Sequence, residues 1–232
     1  MPSPPARPVE HRRLHRRGGG GRCAPRPVPL AATHPLTPPP PRAPSLLHPP
    51  PLPAAPPADP AAADVTKLDI RVGRILSVEP HPDADSLYVE QIDVGEAEGP
   101  RTIVSGLREF VTLESLQGRS VLVLANLKPR NMRGVKSNGM LLCASNAAHT
   151  EVEPLEPPEG AVVGERVFFG DGDGAAQPEA ALPNQLQKKK FWEACQPLLR
   201  TGGDRVAAFE GQQMMTSAGA VTTATLANAS IS

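Results

Sequence analysis

Hydrophobic and polar positions begin to alternate close to Asp64. Leu68, Ile70 and Val72 interleave with Asp69 and Arg71, the two-residue period of a half-buried strand. Gly73 interrupts the alternation, and Ile75, Leu76 and Val78 follow in shifted phase. That break predicts a bulge or sharp coil at the glycine, a device that lets a strand curl around a small barrel. The segment His81-Pro82-Asp83-Ala84-Asp85-Ser86 reads as a turn, dense in residues that fix φ or bond their own backbone. A second strand is predicted over 87–94, closed by Gly95 and Gly99-Pro100, and a third over 102–105. A short helix over 113–117 has Thr112 placed to cap it and Gly118 where a helix C-terminus prefers glycine. Residues 120–125 are nearly all aliphatic and read as a central buried strand, and short apolar runs recur at 140–144 and 166–169. Short strands separated by turns, with one small helix, predict an all-β class; a partly open five-stranded OB-fold barrel fits the count.

The pattern changes at both ends. Residues 1–63 hold no apolar run able to build a core, and 20 of the 30 prolines fall within 1–60. Eight arginines and one acid precede Asp59, a net +8 − 1 = +7. Such a segment cannot offset its ordering entropy, so 1–63 reads as a disordered Pro/Arg-rich leader. Its arginines and lack of acids are also those of an organellar import signal, although it is poor in serine. Past the domain expected over 64–170, Asp171-Gly172-Asp173-Gly174 reads as a linker opening a C-terminal extension, 171–232. There, Lys188-Lys189-Lys190-Phe191-Trp192 begins a predicted amphipathic helix ending near Leu199. Residues 206–232, with few charges and many small or β-branched side chains, fit either irregular strand packed on the barrel or a frayed tail.

Charge narrows the chemistry. The chain is neutral overall, with 24 basic and 24 acidic residues, yet 59–232 carries 16 basic and 23 acidic, a net −7. A nucleic-acid binder with an acidic body must act through a local basic patch. One such patch stands out: between Arg119 and Thr150 there are five cations (Arg119, Lys128, Arg130, Arg133, Lys136) and no acid. Most of them lie in Asn126-Leu127-Lys128-Pro129-Arg130-Asn131-Met132-Arg133-Gly134-Val135-Lys136-Ser137-Asn138, a loop between two apolar strands. Cations that neutralise phosphates, beside amides and hydroxyls able to meet base edges or a 2′-OH, suit an RNA surface. Charge alone leaves open a solvated hairpin without a partner, and Met132 fits equally a base contact or docking on the barrel. With seven aromatic residues in all, successive base stacking is not the expected mode of grip, which favours a structured RNA over generic single strands.

Other chemistries find little support. Cys23, Cys143 and Cys195 are widely spaced and form no C-x-x-C pair, against a disulfide scaffold or zinc module. His81 with Asp83 and Asp85 fits turn bonding better than metal or acid–base work. The glycines at 18–21 lack the strand and helix of a phosphate loop. Neither a catalytic motif nor a cofactor motif appears, and no stretch approaches a membrane span.

Four ordered segments then carry a resemblance. They are Leu68-Asp69-Ile70-Arg71-Val72-Gly73-Arg74-Ile75, His81-Pro82-Asp83-Ala84-Asp85-Ser86-Leu87-Tyr88-Val89, Val104-Ser105-Gly106-Leu107, and Asn126-Leu127-Lys128-Pro129 with Met132-Arg133-Gly134-Val135 and Ser137. Together they resemble the tRNA-binding domain family, including its endothelial monocyte-activating polypeptide II-like members, and the match continues through Lys188-Lys189-Lys190-Phe191-Trp192-Glu193. The resemblance implies an OB barrel that grips tRNA by shape without catalysis, as an appendage or free cofactor of aminoacyl-tRNA synthetases or of a multi-synthetase complex. It implies that the extension imitates a dimer partner, giving a monomeric pseudo-dimer, and a cytoplasmic setting in translation. Carried onto this chain, it implicates Asn126, Lys128, Arg130, Met132, Arg133, Lys136 and Ser137 as RNA contacts, with Lys188, Lys189 and Lys190 as a second set. A different class remains beside it: a protein-binding module, chaperone-like or cytokine-like, on the same barrel.

Overall fold

The computed structural model describes residues 63–172 and 174–232, and the expectations for the leader lie outside them, Ala63 excepted. The first described element is a 3-10 turn, Val65–Lys67, capped by the Asp64 carboxylate, which accepts from the Thr66 N–H at 3.1 Å. Strand β1 (Ile70–Pro80) is long enough to serve two neighbours. Its first half pairs antiparallel with β4 (Ser120–Leu124) and its second half with β2 (Tyr88–Asp93), which in turn pairs with β3 (Arg101–Ser105). Between β3 and β4 lies one helical turn, α1 (Leu113–Leu116).

The break in β1 falls three residues past the glycine. Pairing with β4 runs unbroken through Gly73, and the register shift lies between Ile75 and Ser77 on the β2 side. Leu76 is therefore the extra residue, and it is exposed. The bulge turns Val78 inward beside Ile75, whereas Ile70 and Val72 face the opposite side of the sheet. Gly73 serves close approach instead: a Cβ there would stand 2.8 Å from Ile92 Cγ2.

Two short strands, β5 (Arg130–Met132) and β6 (Val135–Ser137), form a hairpin after β4. The apolar run at 140–144 then divides between two sheets. Strand β7 (Met140–Leu141) pairs with β4, while β8 (Cys143–Ser145) pairs with β9 (Val152–Pro154). The first sheet has the order β3-β2-β1-β4-β7, and β7 lies beside β3, so the sheet curls into a nearly closed barrel. Ile75, Ile92, Ile103, Val121, Val123 and Leu141 fill its interior.

The extension builds the second layer. Strand β10 (Phe168–Phe169) leads into α2 (Pro183–Lys189) and α3 (Phe191–Cys195). Strands β11 (Leu199–Thr201), β12 (Ala207–Phe209), β13 (Gln212–Thr216), β14 (Gly219–Ala220) and β15 (Ser230–Ile231) follow. Residues 206–232 thus hold four short strands joined by turns, and β15 joins β11 to β8 of the barrel side. Ile70, Val72, Leu122 and Leu124 share one core with Leu186, Leu199, Phe209, Met214 and Ile231 of the extension. That explains the unbroken aliphatic character of β4: Val121 and Val123 face the barrel interior, Leu122 and Leu124 the extension. The expected single helix from Lys188 to Leu199 is two: Lys190 adopts a left-handed conformation (φ 53°) that ends α2 before α3 starts. The lysine run therefore closes one helix, where cations favour the negative end of its dipole.

Candidate nucleic-acid interface

The basic loop is a β-hairpin with a two-residue turn. Arg130 pairs with Ser137, Asn131 with Lys136 and Met132 with Val135, leaving Arg133 and Gly134 at the apex. Both have positive φ, 47° and 93°, as the tight turn that matches strand twist requires. The Asn131 side chain accepts from the Gly134 N–H at 2.8 Å and fixes the apex. Residues paired directly across a hairpin share a face. Arg130, Met132 and Ser137 thus look one way, and Asn131 and Lys136 the other.

Four polar anchors hold this hairpin. Asn126, read from sequence as an RNA contact, is buried with its amide fully engaged. Its Oδ1 accepts from the Asp69 N–H at 3.0 Å, and its Nδ2 donates to the carbonyls of Lys67 and Ala181, each at 2.9 Å. Ser137 is also buried: its Oγ accepts from the Val104 N–H and donates to the Gly139 carbonyl, both at 3.0 Å. These two residues position the hairpin; both are buried, and Ser137 also lines the groove beside it. Arg101 spans the two stems, donating through Nη1 to the carbonyls of Ala125 (2.6 Å) and Asn138 (2.8 Å). Its other nitrogens pair with Glu96, holding that carboxyl below the usual range. Finally, buried His81 reaches the hairpin tip. Its Nδ1 accepts from the Asp83 N–H at 3.1 Å, which leaves the proton on Nε2 to donate to the Met132 carbonyl at 3.0 Å.

The roles of His81 and Arg101 escape sequence reasoning, because their hairpin partners are backbone carbonyls with no residue signature. The turn chemistry of residues 81–86 was legible, with His81 bonding the Asp83 backbone; the long-range half of its bonding was not.

Lys128, Arg130, Arg133 and Lys136 are exposed and form no ion pair among the described residues. Arg119 leaves the group, since it pairs with Glu156 at the start of β4. Lys128, Arg130 and Met132 form one wall of a groove of about 390 Å³ whose opposite wall is Leu186, Gln187, Trp192 and Glu193. Barrel hairpin and extension thus build one concave surface together. Lys188, Lys189 and Lys190 do not line it; they are exposed on and just after α2, the helix that supplies Leu186 and Gln187. Lys189 Nζ lies 5.8 Å from the Phe191 ring centroid.

Residues 70–166 match the family described as "Putative tRNA binding domain". The C-terminal domain of Plasmodium vivax p43 superposes with a TM-score of 0.65 at 41% identity, over 73% of this chain and 99% of that one. The chain belongs to the tRNA-binding domain family. Its curated relatives include a "Probable methionine--tRNA ligase" of Oryza sativa subsp. japonica, 53% identical over 74% of this chain and 21% of that protein. Another is "Aminoacyl tRNA synthase complex-interacting multifunctional protein 1" of Cricetulus griseus, 49% identical over 68% of this chain and 42% of that protein. The chain therefore spans less than half the length of these relatives. The family model covers the barrel, and the p43 match covers 73% of the chain.

Proposed function

We propose that this chain is a non-catalytic tRNA-binding protein, an accessory factor that delivers or retains tRNA for an aminoacyl-tRNA synthetase. The observation that carries the reading is the hairpin: four exposed, unpaired cations on an acidic body, clamped at both stems and at the tip. Lys128 and Arg130 on the groove side, Arg133 at the apex and Lys136 on the outer face reach phosphates in more than one direction. That arrangement suits the curved surface of a folded RNA better than an extended strand. Met132 contacts a base, and Lys188, Lys189 and Lys190 supply a second, peripheral set of phosphate contacts. Asn126, Ser137, Arg101 and His81 act through the hairpin as positioning residues. The names of the relatives, tRNA ligases and a complex-interacting protein, support a synthetase or multi-synthetase complex as the partner. The extension covers the β1–β4 face that would otherwise need a second copy, which supports a monomer.

A protein-binding role, chaperone-like or cytokine-like, draws on the apolar floor of the same groove, and one experiment separates the two. The full chain is titrated with mixed tRNA and with unstructured single-stranded RNA, beside a Lys128→Ala/Arg130→Ala/Arg133→Ala variant. The expected result is tighter binding of tRNA, weakened about tenfold or more in the variant through lost phosphate contacts. Equal affinity for both RNAs, or none for either, overturns the reading.

A further inference from the structure

The two walls of the groove differ in charge. The hairpin wall carries Lys128 and Arg130, while the extension wall carries the Glu193 carboxylate, the Gln187 amide and the Trp192 ring. Leu127 and Met140 add apolar lining, as do Met132 on the hairpin wall and Leu186 on the extension wall. A phosphate backbone running through the groove would meet Glu193, a like charge. A wholly apolar ligand would leave both cations without a partner. One kind of occupant matches both walls: a nucleotide with its phosphate on the hairpin side and its base on the extension side.

Resting on the tRNA-binding reading, we infer that this groove is a pocket for one unpaired nucleotide of the bound RNA, its base stacked on Trp192 and read by Glu193 and Gln187. The volume, about 390 Å³, falls at the lower end of the roughly 300–1000 Å³ range of small-molecule sites and suits a single nucleotide. Trp192 is half-buried, packed against the shared core on one side and open to the groove on the other. Its orientation is thereby fixed before any base arrives, as a stacking platform requires. A carboxylate accepts hydrogen bonds only, so Glu193 favours the exocyclic amino groups of adenine, cytosine and guanine over uracil, whose single N3–H donor is flanked by two carbonyl oxygens that repel the carboxylate. The scarcity of other aromatics fits this arrangement: the hairpin grips shape and charge, and one ring reads one base.

Trp192 is the single tryptophan of the chain, so its fluorescence reports on this groove alone. The full chain is titrated with three RNA hairpins of identical stem: blunt, with a four-adenosine 3′ tail, and with a four-uridine 3′ tail. Anisotropy of the labelled RNA gives affinity, and Trp192 emission gives stacking. Expected are quenching by the adenosine tail, an affinity advantage of about tenfold over the blunt hairpin, and a weaker effect of the uridine tail. In Trp192→Leu, which keeps apolar bulk against the core, the tail advantage disappears while the blunt hairpin binds as before. Glu193→Gln narrows the gap between adenosine and uridine tails, and this second variant leaves Trp192 in place. If all three hairpins bind equally and Trp192 emission does not change, the pocket is refuted while the tRNA reading stands. Quenching by an unfolded peptide that the tailed RNA fails to displace assigns the groove to protein and also refutes it. Absence of tRNA binding in the parallel titration fails the tRNA reading itself, and the pocket with it.

Discussion

Polar residues in this chain divide by burial rather than by type. Asn126 and Ser137 stand among cations in the sequence and look like surface ligands, yet their atoms close backbone bonds inside the protein. Replacing Asn126 with Ala leaves the Asp69 N–H and the Lys67 and Ala181 carbonyls without that partner. A loss of about 3 kcal/mol is expected in urea unfolding, from the cost of unsatisfied buried groups; a change within about 0.5 kcal/mol would contradict the anchoring role. Glu90 is a second buried polar residue. It points into the barrel with Oε1 accepting from Ser105 Oγ at 2.7 Å and Oε2 unpartnered among the described residues, and burial pushes its carboxyl up to about 7. Because the folded form holds this proton more tightly than the unfolded chain, the stability it contributes is complete below the ordinary glutamate range and is lost as pH rises towards 7. The loss amounts to about 3 kcal/mol between about pH 4 and about pH 8. Denaturant titrations across that range should show the fall in wild type and a flatter profile in Glu90→Gln. Parallel profiles would rule out Glu90 as its source.

Elements were legible in proportion to how regularly their faces are buried. Strand β2 alternates cleanly and was placed within a residue or two of its limits, because its inward positions Tyr88, Glu90 and Ile92 are all buried. The run at 140–144 carries no internal punctuation, and its division between two sheets at Leu142 depends on partners distant in the chain. The strands of the extension are short and rich in small residues, so their pairing is fixed by the shared core more than by local pattern. For the hairpin, cations and turn glycine were legible, whereas its anchors were not. His81→Ala removes the side-chain bond to the Met132 carbonyl and should weaken tRNA binding several-fold; because His81 is buried the thermal midpoint should also fall, so affinity is compared well below the onset of unfolding. Arg133→Asn removes a charge but keeps a residue that tolerates positive φ, so its effect should be on affinity alone. If His81→Ala leaves tRNA affinity unchanged, the tip bond has no part in binding.

At the scale of the whole molecule, barrel and extension are joined by one core, and the groove exists because both supply a wall. A chain ending at residue 170 would expose Ile70, Val72, Leu122 and Leu124, at about 1.5–3 kcal/mol for each side chain, comparable in sum to the net stability of a domain. Such a truncation is expected to aggregate or lose its cooperative melt by circular dichroism; a soluble, cooperatively folding monomer would show that the extension is dispensable for folding. That the exposed cations of the hairpin hold tRNA through its phosphates can be tested by salt dependence. For the full chain, log K against log salt should fall with a slope of about −3 to −4 from Lys128, Arg130, Arg133 and Lys136, and more steeply as Lys188, Lys189 and Lys190 add their contacts. In the Lys128→Ala/Arg130→Ala/Arg133→Ala variant the slope should shrink by about 2 to 3. The same slope in both proteins would mean that the phosphates are held elsewhere, and the account of this hairpin would be wrong.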